Sequence, residues 1–105
     1  MVTEKTVIYE ITVTVQPEFI EKYEDFMRRR HIPDLLATGY FRGADFSSSD
    51  AGRYRARYEA FDQNALDKYL EMDAARLRAD FTKHFPEGVE VSREIWNVLQ
   101  FWKKG

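Results

Sequence analysis

Residues 6–16, TVIYEITVTVQ, place Val7, Tyr9, Ile11, Val13 and Val15 on one side of an extended chain and Ile8, Glu10, Thr12, Thr14 and Gln16 on the other. A period of two over eleven residues belongs to a strand and not to a helix, and the five apolar odd positions demand a covering layer. The next segment supplies it. Pro17 suits a first helical turn, Glu18 complements the helix dipole, and Phe19, Tyr23, Phe26, Met27 and Arg30 recur at three- and four-residue spacing. This pattern predicts a helix to about His31. Its last turn, RRRH, sets positive charge against the terminal carbonyls, Pro33 discourages continuation, a short helical turn fits residues 34–37, and Gly39 ends it.

Residues 40–46 and 53–61 read as strands around SSSDAG, whose Asp50 and Gly52 favour a turn, so the two should form an antiparallel hairpin. Asp62 is placed to cap a second helix, in which Leu66, Tyr69, Leu70, Leu77 and Phe81 form the apolar stripe and Pro86 and Gly88 give the stop. Its length suggests a bend near Asp73. A last strand over residues 89–101 carries Ile95, Trp96, Val98 and Leu99, apolar on both faces. The order βαββαβ is that of an α+β, ferredoxin-like fold: an antiparallel four-stranded sheet with two helices on one face. The 105 residues make one domain, 1-105, with a single core.

Such a fold leaves the second sheet face bare. Tyr54, Ala56 and Tyr58 should face the helices, so Arg53, Arg55, Arg57 and Glu59 join Ile8, Glu10 and Thr12 on the open side. Trp96, Val98 and Trp102 share one parity and, near a sheet surface, favour a partner. A homodimer packed sheet to sheet through Glu10, Arg55, Arg57 and Trp96 would cover them, with Arg57 paired to Glu10 or its symmetry mate.

The totals exclude several classes. Sixteen basic against eighteen acidic residues give a net charge of -2, no footprint for nucleic acid or an anionic membrane. The absence of cysteine removes disulfides and thiolate chemistry and fits a cytoplasmic location. The N-terminal run MVTEKTVIYEITVTVQ, interrupted by Glu4, Lys5 and Glu10, lacks the apolar core of a signal peptide or membrane span. No HxH or HxxxH spacing suggests a metal, and no GxGxxG, GKS/GKT or GxSxG motif suggests a nucleotide or a serine nucleophile.

Four candidate groups are left. His31, near the mouth of a cleft between helices and sheet, has the chemistry of a general base, or alternatively caps the first helix. His84 stands in the same relation to the second helix. Tyr9, Tyr54 and Tyr58 either orient a flat ligand on an aromatic wall or are core tyrosines with hydroxyls at the rim. Arg53, Arg55 and Arg57 fit a carboxylate or phosphate, or ion pairs with Glu10 and Glu59.

The strings VIYEITVTV, RRRHIPDLLATGYF and YRARYEAFDQNALDKYLEMDAARLRADFTKHF resemble a family of short bacterial proteins known as a domain of unknown function. That family is similar to the dimeric α/β-barrel superfamily, which includes antibiotic-biosynthesis monooxygenases that need no cofactor, isomerases, haem-degrading enzymes and ligand-sensing domains. The resemblance implies paired ferredoxin-like subunits and leaves the chemistry open. In the haem-degrading branch, an Asn on the first strand acts with a Trp and a His late in the second helix. His84 matches that histidine, but the first strand lacks Asn and Trp96 lies in the last strand, so no haem is expected. Three readings follow: a non-catalytic dimeric module binding a small molecule or a protein; a cofactor-independent, monooxygenase-like or isomerase-like enzyme on a small aromatic or carbonyl compound, with His31 as base; and a purely structural role within a larger assembly. An open pocket of a few hundred Å³ beside His31 would favour the enzyme. A filled core would count against it.

Overall fold

A computed structural model describes residues 6–50 and 52–105; Glu4 and Lys5, and Ala51 of the SSSDAG turn, lie outside the described residues. Strand β1 (Val7–Val15) is followed by a helical turn at Pro17–Phe19 and by α1 (Ile20–Phe26), a π-helical turn (Met27–His31) and α2 (Ile32–Ala37). The hairpin β2 (Phe41–Ser48) and β3 (Arg53–Ala60) comes next, then α3 (Gln63–Met72), α4 (Ala74–His84) and β4 (Val89–Asn97). All four strands pair antiparallel in the order β2-β3-β1-β4, the ferredoxin-like arrangement the sequence pattern implies.

β1 is hydrogen-bonded on both edges, to β3 and to β4. Its residues Val7, Tyr9, Val13 and Val15 are buried against the helices, together with Tyr54, Ala56, Tyr58 and Ala60 of β3. The helices contribute Tyr23, Phe26, Met27, Leu35, Leu66, Tyr69, Ala74 and Leu77. Rings meet edge to face or tilted throughout, as in Tyr23 against Phe85 at 5.7 Å and Phe41 against Tyr69 at 5.0 Å between centroids, geometries that match ring quadrupoles. One end of the sheet is tied by two turns: Val15 N–H donates to the Gly52 carbonyl at 2.7 Å and Gln16 N–H to that of Gly88 at 2.9 Å. Both glycines have positive φ, and a Cβ on Gly52 would collide with the Val15 carbonyl, so glycine is required there.

The second helical stretch is capped by Asp62, whose side chain accepts from Ala65 N–H at 2.8 Å, and it breaks at Asp73 as expected from its length. The first helical stretch departs from expectation. Pro33 does not stop it: Ile32 keeps helical dihedrals, and the chain widens before the proline, with Ile32 N–H reaching back five residues to the Met27 carbonyl. Proline lacks an N–H, and a π-turn takes an extra residue, so the helix continues past Pro33 with its phase shifted. Met27, His31 and Leu35 consequently point inward. Arg30, placed on the apolar stripe by simple periodicity, is instead exposed and forms a two-pronged pair with Asp80 at 2.9 and 2.7 Å.

β4 is shorter than the residues 89–101 read from sequence. Among the described residues it is an edge strand paired with β1; the register runs to Val7 opposite Asn97, and Val98 N–H adds one bond to the Thr6 carbonyl at 3.0 Å. Beyond it, Leu99, Phe101 and Trp102 are exposed.

Two tyrosine hydroxyls, of Tyr23 and Tyr58, are buried without a partner among the described residues. Leaving such a group unpaired costs about 1–3 kcal/mol. Tyr58→Phe should therefore raise the unfolding free energy in urea by about 1 kcal/mol, whereas a loss of stability would show that the hydroxyl has a partner in solution.

Candidate functional site

The π-turn determines where His31 goes. Because the extra residue rotates the chain at Met27–His31, the His31 ring enters the layer between helices and sheet, 7% exposed, and stacks on Phe26 with Phe81 edge-on beside it. π-turns of this kind recur at functional sites. Its Nδ1 is buried and finds no hydrogen-bond partner among the described residues. Burial pushes the imidazole down to about 4, against the upward pull of Asp80 and Asp34, and Arg93 adds to the depression. His31 is therefore neutral at pH 7 and does not cap a helix end.

A cavity of about 20 Å³ adjoins it, lined by Tyr9, Ile11 and Val13 of β1, Val91 and Arg93 of β4, Met27, His31, Tyr69, Arg78 and Phe81. That volume holds about one water. The layer between helices and sheet is thus nearly filled. Tyr9, expected at a ligand wall, is on this cavity, and its hydroxyl accepts from Arg78 Nη2 at 2.9 Å. Burial raises the Tyr69 hydroxyl well above the usual tyrosine range, with Arg78 and Arg93 pulling the other way, so both guanidinium groups act at this wall.

The other candidates lie elsewhere. Tyr58 is fully buried beside Tyr9, with 6.3 Å between ring centroids, but does not line the cavity. Tyr54 is stacked on Phe46 and donates its hydroxyl to Glu24 at 2.5 Å. His84 closes α4, packs on Phe26 at 4.6 Å and places Nδ1 2.8 Å from the Asp80 carbonyl, away from the cavity. Among the described residues no three His, Asp or Glu side chains gather to hold a metal ion.

Sequence reasoning passed over Arg78, Arg93, Tyr69 and Met27 as site residues. A signal for two of them was present. Arg93 interrupts the apolar parity of Val89, Val91 and Ile95, and Arg78 falls one turn after Ala74 and one turn before Phe81. Each is a cation on an otherwise apolar face.

The opposite sheet face has its own cluster. Glu10, its side chain 14% exposed, receives Trp96 Nε1 at 3.0 Å and lies 3.4 Å from Arg57 Nε and 3.6 Å from Arg55 Nε. Trp96, opposite Ile8 in the ladder, stands on this uncovered face. A cleft of about 690 Å³ opens there between Ile8, Arg57 and Asp45 on the sheet and Val98 and Phe101 of the C-terminal segment.

Comparison with known proteins gives the fold a context. A family profile described as "Domain of unknown function (DUF4286)" matches residues 6–99. No curated protein matches the sequence. Among solved structures, a Nitrosomonas europaea protein provisionally described as an antibiotic biosynthesis monooxygenase superposes with a TM-score of 0.73 at 10% identity, covering 94% of this chain and 95% of that one. The Rv0793 protein of Mycobacterium tuberculosis gives 0.68 at 17% identity, covering 93% and 99%. A dimeric ferredoxin-like protein from an uncultured marine organism gives 0.64 at 10% identity, covering 95% and 100%. At such identities the likeness is one of fold.

The buried histidine has a measurable consequence. Below the unfolded-state value of 6.5 the unfolded chain takes up a proton that the folded chain refuses until about pH 4. Stability is then fully present above 6.5 and falls as the pH drops towards 4, by about 2 kcal/mol at pH 5 from this group. In His31→Gln the difference in unfolding free energy between pH 7 and pH 5 should shrink by about that amount; an unchanged difference would place His31 in contact with water.

Proposed function

The chain belongs to the DUF4286 family, matched over residues 6–99, and on that premise we propose that it is a small-molecule-binding module, working as a homodimer in the cytosol and holding its ligand at the His31 cavity. The observation that carries this reading is the buried, unpartnered Nδ1 of His31 on the wall of a cavity that also receives Tyr9, Arg78 and Arg93. An orphaned polar atom inside a core costs stability, and a ligand that satisfies it recovers that cost. Binding is favoured over catalysis by two facts. The cavity is closed to about one water, so a ligand must displace side chains to enter. An imidazole pushed down to about 4 is also a weak base, far from the near-neutral value that general-base catalysis favours.

The dimer reading is supported by the uncovered face. Trp96 is 49% exposed there, and Leu99, Phe101 and Trp102 are left in solvent beside the open cleft. Glu10 already offsets one of the two positive charges of Arg55 and Arg57 within the chain, which lowers the cost of covering them with a second sheet. One of the structural neighbours is itself described as dimeric.

Two measurements test these statements separately. Protein-observed NMR with a fragment set of acids, amides and alcohols should shift the resonances of Tyr9, His31 and Tyr69 for at least one fragment, and His31→Ala should weaken that fragment about tenfold; silence at all three positions would end the binding reading. Light scattering at micromolar concentration should give the mass of two chains, falling to one in Trp96→Asp. A monomeric wild type would remove the dimer.

A further inference from the structure

Most arginines packed on this molecule have an acidic partner. Arg30 has Asp80, Arg55 and Arg57 share Glu10, and Arg76 has Asp73. Arg78 and Arg93 differ: no carboxylate stands within ion-pair distance of either among the described residues, although both line the same cavity. Arg78 reaches it from α4 and Arg93 from β4, the edge strand, where Ile95 on the same side is 47% exposed and the helical layer gives out. Arg78 and Arg93 are exposed residues, so the two guanidinium groups stand on the solvent side of a cavity whose other walls include Tyr9, Tyr69, Phe81 and neutral His31. A guanidinium presents five N–H donors, and Arg78 gives one to the Tyr9 hydroxyl. The remainder of the pair is available to an anion.

We propose that the cavity takes a small planar monoanion, a carboxylate or phenolate on an aromatic or conjugated frame, with its charge held between Arg78 and Arg93. This rests on the reading of the cavity as a binding site and specifies its ligand. Planarity follows from the walls: Phe81, Tyr69 and Tyr9 offer ring faces and edges, and Ile11 and Val91 close the slot from the sheet. A paired oxygen anion matches the fork of a guanidinium, which binds carboxylates through two parallel hydrogen bonds. A polar atom on the frame can meet His31 Nδ1, which as a neutral imidazole nitrogen either donates or accepts. Room is made by two long, flexible side chains: Met27, an adaptable thioether, and Arg78, which exchanges the Tyr9 hydroxyl for the ligand.

Matched probes separate this inference from the reading beneath it. Benzoate against benzamide, and salicylate against salicylamide, are titrated by NMR into the wild-type chain and into Arg78→Gln, Arg93→Gln and, as a control on the far sheet face, Arg53→Gln. The acids should bind at least tenfold more tightly than their amides, Arg78→Gln and Arg93→Gln should each remove most of that preference, and Arg53→Gln should keep it. Arg93 is exposed, and its side chain makes no hydrogen bond or ion pair among the described residues, so an unchanged urea midpoint in Arg93→Gln will show that any loss is one of binding. Amides binding as well as acids would overturn the anion inference and leave the binding site standing. Acid binding indifferent to both arginine variants would also overturn it. If no probe of either kind, nor any fragment of the wider set, perturbs the cavity, the binding reading falls and this inference with it.

Discussion

β1 is hydrogen-bonded along both edges and must bury one face, and the rest of the molecule is arranged around those two demands. Its outer neighbours β3 and β4 satisfy the backbone, which would otherwise leave N–H and C=O groups unpaired in a dry layer. Its odd-numbered side chains need a cover, and among the described residues the two helical stretches supply it with their apolar stripes. Placing both on one side follows from the right-handed crossovers. The core and the uncovered face are therefore consequences of one alternating strand.

Within that frame, one helical irregularity creates the site. Without the π-turn at Met27–His31, a four-residue step from Met27 would drift around the helix and Arg30 would fall on the inward stripe. The extra residue sends His31 inward and Arg30 outward, where Arg30 meets Asp80 and joins α4 to the first helical stretch. That pair holds the Asp80 carboxyl below the usual carboxylate range. The same turn so places an unprotonated imidazole in the core and fixes the element that stands over it.

How legible this was depends on which interaction decides each residue. Strand parity was readable because neighbouring side chains must point to opposite faces: Tyr54, Ala56 and Tyr58 face the helices, and Arg55 and Arg57 do not, as the alternation requires. The break at Asp73 was readable from the length of the second helical stretch. Arg30 and His31 were not, since proline's effect on a helix depends on whether the preceding turn can widen, and that is decided by packing. Trp96 was undetermined on parity alone, because β4 carries apolar residues on both faces; its pairing with Ile8 and its bond to Glu10 place it on the uncovered side.

The sequence by itself determined the order of strands and helical stretches and the sheet face of the residues in β1 and β3, since periodicity and turn chemistry act between residues close along the chain. Tertiary structure alone decided the end of β4, the inward turn of His31 and the meeting of Tyr9, Arg78 and Arg93, drawn from β1, α4 and β4. Those outcomes turn on contacts between segments tens of residues apart. Arg78 and Tyr9, 69 residues apart in sequence, become neighbours only after the sheet has closed on the helices.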